Sequence, residues 1–192
     1  MNKMGLQTVY PKPNTSAPNK SHEVYPYLLK DADIIRPNQV WSADITYLPL
    51  QGSHVYLVAI IDWYSRFVLE WQVSISLEAE FCVDALRNAL SRERCDIFNT
   101  DQGSQFTSSA WINTLKQYQI SISMDSRGRY LDNIFVERLW RSVKQECIYL
   151  HEFSSVAELK KALAKYFEYY NYQRLHQSLD YRTPADLYLN GL

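Results

Sequence analysis

Val40-Trp41-Ser42-Ala43-Asp44-Ile45-Thr46-Tyr47-Leu48 is a run of apolar, β-branched and aromatic residues with one carboxylate in its middle. Such residues favour an extended backbone, so a strand is predicted over residues 39–50. Side chains alternate along a strand. Ser42, Asp44 and Thr46 therefore share one face, and Trp41, Ala43, Ile45 and Tyr47 share the other. An acidic residue on that polar face looks either to solvent or to a site of chemistry.

Outward from this run, two more extended segments follow at 54–62 and 67–75. Gln51-Gly52-Ser53 and Trp63-Tyr64-Ser65-Arg66 supply tight connections, which together predict an antiparallel meander. A helix is predicted over 77–92, with Phe81, Cys82, Ala85, Leu86 and Ala89 on one face and acidic residues early, matching the helix dipole. A strand at 96–100, a helix at 108–117 and a short strand at 120–124 come next. An amphipathic helix then runs from Asp132 or Asn133 to Lys144. The last long helix, 156–171, opens on the capping pattern Ser155-Val156-Ala157-Glu158. Helices that return strands to one sheet indicate α/β organisation.

Two further carboxylates stand in settings comparable to that of Asp44. Asp101 ends the apolar run Ile97-Phe98-Asn99-Thr100 and meets the turn Gln102-Gly103-Ser104, while Glu137 lies inside the predicted helix, with 35 residues between the two. A lone exposed carboxylate is usually a solvated surface group. A strand, a strand end and a helix delivering one carboxylate each to a common point is a different case. Phosphodiester cleavage must stabilise charge on the attacking and leaving oxygens, which two divalent ions can do, and Mg²⁺ prefers hard oxygen ligands. Asp62 also ends an apolar run, but it precedes Trp63-Tyr64-Ser65-Arg66 and reads as a turn cap.

Charge is uninformative globally and suggestive locally. Twenty Lys and Arg against 21 Asp and Glu give a net charge of −1, whereas many nucleic-acid binders are basic overall. Between residues 127 and 144 the balance reverses, with Arg127, Arg129, Arg138, Arg141 and Lys144 against Asp132 and Glu137. Val136, Leu139, Trp140, Val143 and Cys147 form an apolar stripe, which assigns Trp140 to the core. Glu137, Arg141 and Lys144 lie on a neighbouring stripe that can meet metal and DNA. Arg127-Gly128-Arg129 reads as a loop that contacts DNA.

Several classes are excluded. No apolar stretch approaches the roughly 20 residues of a membrane span, and the polar N-terminus is not a signal peptide, so a soluble cytoplasmic protein is expected. Cys82, Cys95 and Cys147 are odd in number and widely spaced, which predicts reduced, buried thiols. Five of the seven prolines fall within the first 37 residues. An extended arm is therefore expected over 1–35, followed by a core with a C-terminal helical extension over 36–192.

The segments Trp41-Ser42-Ala43-Asp44-Ile45-Thr46-Tyr47, Ile61-Asp62-Trp63-Tyr64-Ser65-Arg66, Thr100-Asp101-Gln102-Gly103-Ser104-Gln105-Phe106 and the helix of Glu137 resemble the integrase core of IS3-family insertion-sequence transposases. The ending, from Tyr170-Asn171-Tyr172-Gln173-Arg174 through Thr183-Pro184, resembles the close of that family's second reading frame product, here N-terminally shortened. The resemblance implies a ribonuclease-H-like, retroviral-integrase-type core with a mixed central sheet flanked by helices. It implies a catalytic and metal-binding triad of Asp44, Asp101 and Glu137. Two Mg²⁺ ions, or Mn²⁺ in their place, would be held with Asp44 bridging. In the family, a basic residue seven positions after the glutamate touches DNA, and Lys144 occupies that position. The implied partners are insertion-sequence ends and target DNA, further copies of the chain in the DNA complex, and a first-frame helix-turn-helix protein, all in a bacterial cytoplasm. Three functions stay open: an active transposase core, a catalytically silent DNA-binding or regulatory fragment, and a ribonuclease-H-like nuclease. The intact carboxylates favour the first over the second, and Lys144 with the C-terminal segment favours it over the third.

Overall fold

The computed structural model of the chain describes residues 24–125 and 134–190. Five strands form one sheet: β1 (Val40–Leu50), β2 (Ser53–Asp62), β3 (Val68–Ser74), β4 (Ile97–Thr100) and β5 (Ser121–Met124). Their order is β3-β2-β1-β4-β5. The β1/β2 and β2/β3 pairs are antiparallel, and β1/β4 and β4/β5 are parallel. This is the mixed sheet expected. The β1–β2 hairpin closes through Gln51 and Gly52, and Gly52 has the positive φ of 71° that such a tight turn asks for.

Helices cover both faces. Helices α1 (Glu80–Leu90) and α2 (Ser109–Gln117) lie over Trp41, Ala43, Val58 and Ile60 in a cluster that includes Phe98, Phe106 and Trp111. On the opposite face α3 (Ile134–Val143) and α4 (Val156–Tyr172) cover Leu48, Leu57, Ala59 and Ile61. The alternation of β1 and β2 thus feeds two cores at once, and period-two strands between amphipathic helices produce that layering. The polar face of β1 is covered rather than open to water. Ser42 is fully buried, its Oγ accepting from Trp63 Nε1 at 2.8 Å.

Local signals work largely as expected. Ser108 Oγ accepts from Trp111 N at the start of α2. Ser155 Oγ accepts from Glu158 N, but the Glu158 carboxylate takes Ser154 N and Oγ, one residue earlier than the usual box. Asp62 is fully buried and accepts from Asn38 N, Ser65 N and Ser65 Oγ, so it caps the β2–β3 turn. Asn171 of α4 pins the edge strand, its side chain both accepting from Val68 N and donating to Val68 O at 2.9 Å. The three cysteines are free and buried.

Three features depart from the expected elements. Helix α1 begins at Glu80, three residues late, with Ala79 as its N-cap and residues 75–79 forming a bend after β3. Helix α3 ends at Val143 and continues as a π-helical turn, Lys144–Ile148. A fifth helix, α5 (Pro184–Asn190), packs on α4 and went unread, being a single short segment beginning at a proline. The stretch before β1 lies against the core: Leu28 N donates to Ser123 Oγ, and Leu29 is buried with Val40 and Trp63. Among the described residues no helix is long and apolar enough to cross a membrane.

Candidate functional site

Strands β1 and β4 pair only from Val40–Ile97 to Ser42–Asn99. Carried two residues further, the same register sets Asp44 opposite Asp101, but there the strands part. Strand β1 continues along β2, while β4 ends after pairing with β5. A crevice at the carboxyl ends of parallel strands, where the sheet changes direction, is where open α/β sheets place their ligands. Asp44 and Asp101 line that cleft, of about 180 Å³, together with Ile45, Tyr47, Gln105 and Phe106.

Glu137 comes from the first turn of α3, is exposed, and is not among the residues that line the cleft. It sits there because Val136, Leu139, Trp140 and Val143 are buried against the sheet, which turns the intervening position outward. Its charge is felt at Asp44. Burial pushes the Asp44 carboxyl up to about 6, hydrogen bonds from Trp140 and the Ile45 backbone oppose the rise, and the charges of Asp101 and Glu137 add to it. Protein packed behind Asp101 also pushes its carboxyl upward, tempered by its exposure, while Gly103 N–H donates to Oδ1 at 2.9 Å and opposes the rise. A side chain at Gly103 would place its Cβ 2.9 Å from that same oxygen, so any larger residue there would push the Asp101 carboxylate aside.

The three carboxylates share an electrostatic field rather than a coordination sphere. Among the described residues, no three His, Cys, Asp or Glu groups are set closely enough to hold a metal ion. The donor chemistry nevertheless suits a divalent cation: three hard oxygen donors, one of them held up to about 6 partly by its neighbours' charge.

Trp140 has a role the sequence did not suggest. It is 7% exposed and packed in the α3–α4 core, as expected, yet its Nε1 donates to Asp44 Oδ2 at 2.9 Å. A buried indole N–H requires an acceptor, and three residues after Glu137 it points to the inner face of α3. That requirement was the available signal. Lys144 opens the π-helical turn and holds its ammonium over the Tyr47 ring, 5.2 Å from the centroid. Arg141 is exposed in the last turn of α3, and Arg127 and Arg129 lie outside the described residues. In the tail, Arg174 is engaged as a clamp, donating through Nη2 and Nε to the two oxygens of Glu146 in the π-helical turn, which also accepts from Tyr166 OH. Burial, aided by the Arg174 charge, lowers His176 to about 4, so it is neutral at physiological pH.

Two family models, both described as integrase core domain, match residues 35–129 and 118–184. The transposase for insertion sequence element IS904 of Lactococcus lactis is 37% identical over 154 residues, covering 78% of this chain and 61% of the relative. The putative transposase InsK for insertion sequence element IS150 of Escherichia coli is 34% identical over 162 residues, covering 83% and 57%. Transposase InsF for insertion sequence IS3A of Escherichia coli is 38% identical over 144 residues, covering 73% and 50%. The chain thus spans between 50% and 61% of the length of these relatives. Among solved structures, the simian T-cell lymphotropic virus intasome bound to PP2A regulatory subunit B56 gamma matches with TM-score 0.70 at 19% identity, over 88% of this chain and 60% of that one. The HTLV-2 integrase catalytic core domain in complex with magnesium matches with TM-score 0.59 at 20% identity, over 79% and 95%. These likenesses establish the ribonuclease-H-like integrase fold. With that fold, the two domain matches and relatives of this identity, the chain belongs to the integrase core family of IS3-type insertion-sequence transposases.

Proposed function

We propose that this chain is the catalytic core of a transposase that cleaves DNA strands and joins them to target DNA, with Asp44, Asp101 and Glu137 as its metal-holding catalytic residues. The observation that carries this is the β1/β4 register that brings Asp44 and Asp101 to one cleft where the two strands part, with the charge of Glu137 reaching Asp44. Like charges gathered at the open end of a sheet favour a bound cation. Two Mg²⁺ ions, or Mn²⁺ in their place, would supply charge to steady the attacking and leaving oxygens. Family relatives named as transposases, and a structural neighbour that binds magnesium, support the reading.

The chain's own residues supply the rest. Trp140 orients Asp44 by holding one of its oxygens, and the Gly103 amide does the same for Asp101. Lys144 and Arg141 offer cations to DNA phosphates, and Arg127 and Arg129, outside the described residues, are the other basic side chains of this reading that would contact DNA. Insertion-sequence ends and target DNA are the substrates, with several copies of the chain in the complex and a first-frame helix-turn-helix protein as a further partner. An arm at 1–35 and a core at 36–192, working in a bacterial cytoplasm, complete the reading.

A gel assay of strand cleavage and rejoining on branched DNA, comparing the native chain with Asp101→Asn, tests it. Product is expected only with Mg²⁺ or Mn²⁺ and an intact Asp101. Product that survives Asp101→Asn, or none from a folded native chain, would overturn it.

A further inference from the structure

A second cavity adjoins the carboxylate cleft. Tyr47 and Tyr56 line both, and the second, of about 600 Å³, is completed by Pro49, His54, Lys144 and Tyr149. Its volume is in the range of small-molecule sites. Its wall is predominantly aromatic. Tyr47 and Tyr56 are cross-strand partners on β1 and β2. The His54 ring meets Tyr56 edge-on at 5.3 Å and Tyr47 at 6.4 Å, and His54 Nε2 lies 3.1 Å from Tyr56 OH. These contacts hold the rings in place on rigid strands. Tyr47 and Tyr149 are nevertheless each 67% exposed, leaving ring area uncovered.

Charge completes the picture. Lys144 is the cation at this cavity, poised over Tyr47. Among the described residues no carboxylate lies within ion-pair distance of it. Flat rings beside an uncommitted ammonium suit a ligand with one π-face and one phosphate. A base within a duplex is already stacked on both sides, so the ligand that fits is an unpaired nucleotide.

We propose that the Tyr47–His54–Tyr56–Tyr149 cavity is a subsite for one unpaired nucleobase of DNA, next to the phosphate that enters the carboxylate cleft. This rests on the DNA-processing reading above and adds to it where a strand end unpairs. The base stacks on Tyr47, and Lys144, which rests over that ring in the free protein, moves to meet the adjoining phosphate. A base in this subsite is separated from its duplex partner, so DNA frayed beside the reacting bond is preferred over blunt duplex.

The test measures binding without chemistry. The probe is a DNA duplex with a short single-stranded overhang ending in 2-aminopurine, with Ca²⁺ in place of Mg²⁺. Fluorescence quenching is expected on binding. An abasic residue at that position should weaken binding about five- to a hundred-fold, the usual effect of losing one stacked base. Tyr47→Ala should bind the intact overhang about as weakly as the native chain binds the abasic one, with no further loss when the two changes are combined. Tyr47→Phe, which keeps the ring, should restore binding and serves as the folded control. Additive losses, or equal affinity for the intact and abasic overhangs, would overturn the subsite while leaving cleavage on branched DNA intact. No binding to any DNA, together with no cleavage, would overturn the DNA-processing reading itself.

Discussion

Asp44→Asn is expected to make the metal-free protein more stable at neutral pH while abolishing its chemistry. The folded Asp44 carboxyl titrates at about 6 against an ordinary value of 3.8. Its folded pKa lies above its unfolded one, so the stability cost is absent well below pH 3.8, grows as the unfolded chain ionises first, and is complete above about pH 6. At about 1.4 kcal/mol per pH unit, that rise amounts to about 3 kcal/mol. Residual solvent contact brings the expected gain to about 2–3 kcal/mol. Asparagine has nearly the same shape, carries no charge and can still accept from Trp140 Nε1. At about 2–4 °C per kcal/mol, the melting temperature should rise roughly 5–10 °C. Urea unfolding in chelator, at about pH 7.5 and about pH 4.5, reads this directly, with the slope unchanged between variants. The gap should shrink to about 1 kcal/mol at the lower pH, where the native carboxyl is already protonated. Added Mg²⁺ should close the gap at the higher pH by stabilising only the native chain. An Asn variant less stable than the native chain at neutral pH, or a gap indifferent to pH, would refute the reasoning.

Two further outcomes follow from particular contacts. Trp140→Phe removes the donor that lowers the Asp44 pKa, so the acid limb of the pH–rate profile should move to higher pH with the fold retained; an unmoved limb would deny Trp140 its positioning role. Asn171→Ala strands Val68 N and Val68 O without their partner and should cost about 2–6 kcal/mol in urea unfolding, at about 1–3 kcal/mol for each buried group left unsatisfied.

The elements were legible in the sequence because they are local. The period-two run at 40–50, the glycine turn at 51–53 and the apolar stripe of 136, 139, 140 and 143 each carry their own structure, and all appear in place. Short strands such as Ile97–Thr100 were readable because an apolar run ended in a turn signal. Asp44, Asp101 and Glu137 stood out as carboxylates placed where each element could present them. Helix α5 was not legible, since seven residues carry too little periodicity to separate helix from loop. The sequence alone therefore determined the strands, the principal helices and the identity of the acidic residues. Only the tertiary structure decided that β1 and β4 part just before Asp44 and Asp101, that the Trp140 indole crosses 96 residues of chain to hold Asp44, that Arg174 is bound to Glu146, and that Tyr47, His54, Tyr56 and Tyr149 enclose one cavity. Those facts depend on the register between distant strands and on which face of a helix meets the sheet. Such pairings are long-range, and no local pattern of residues encodes them.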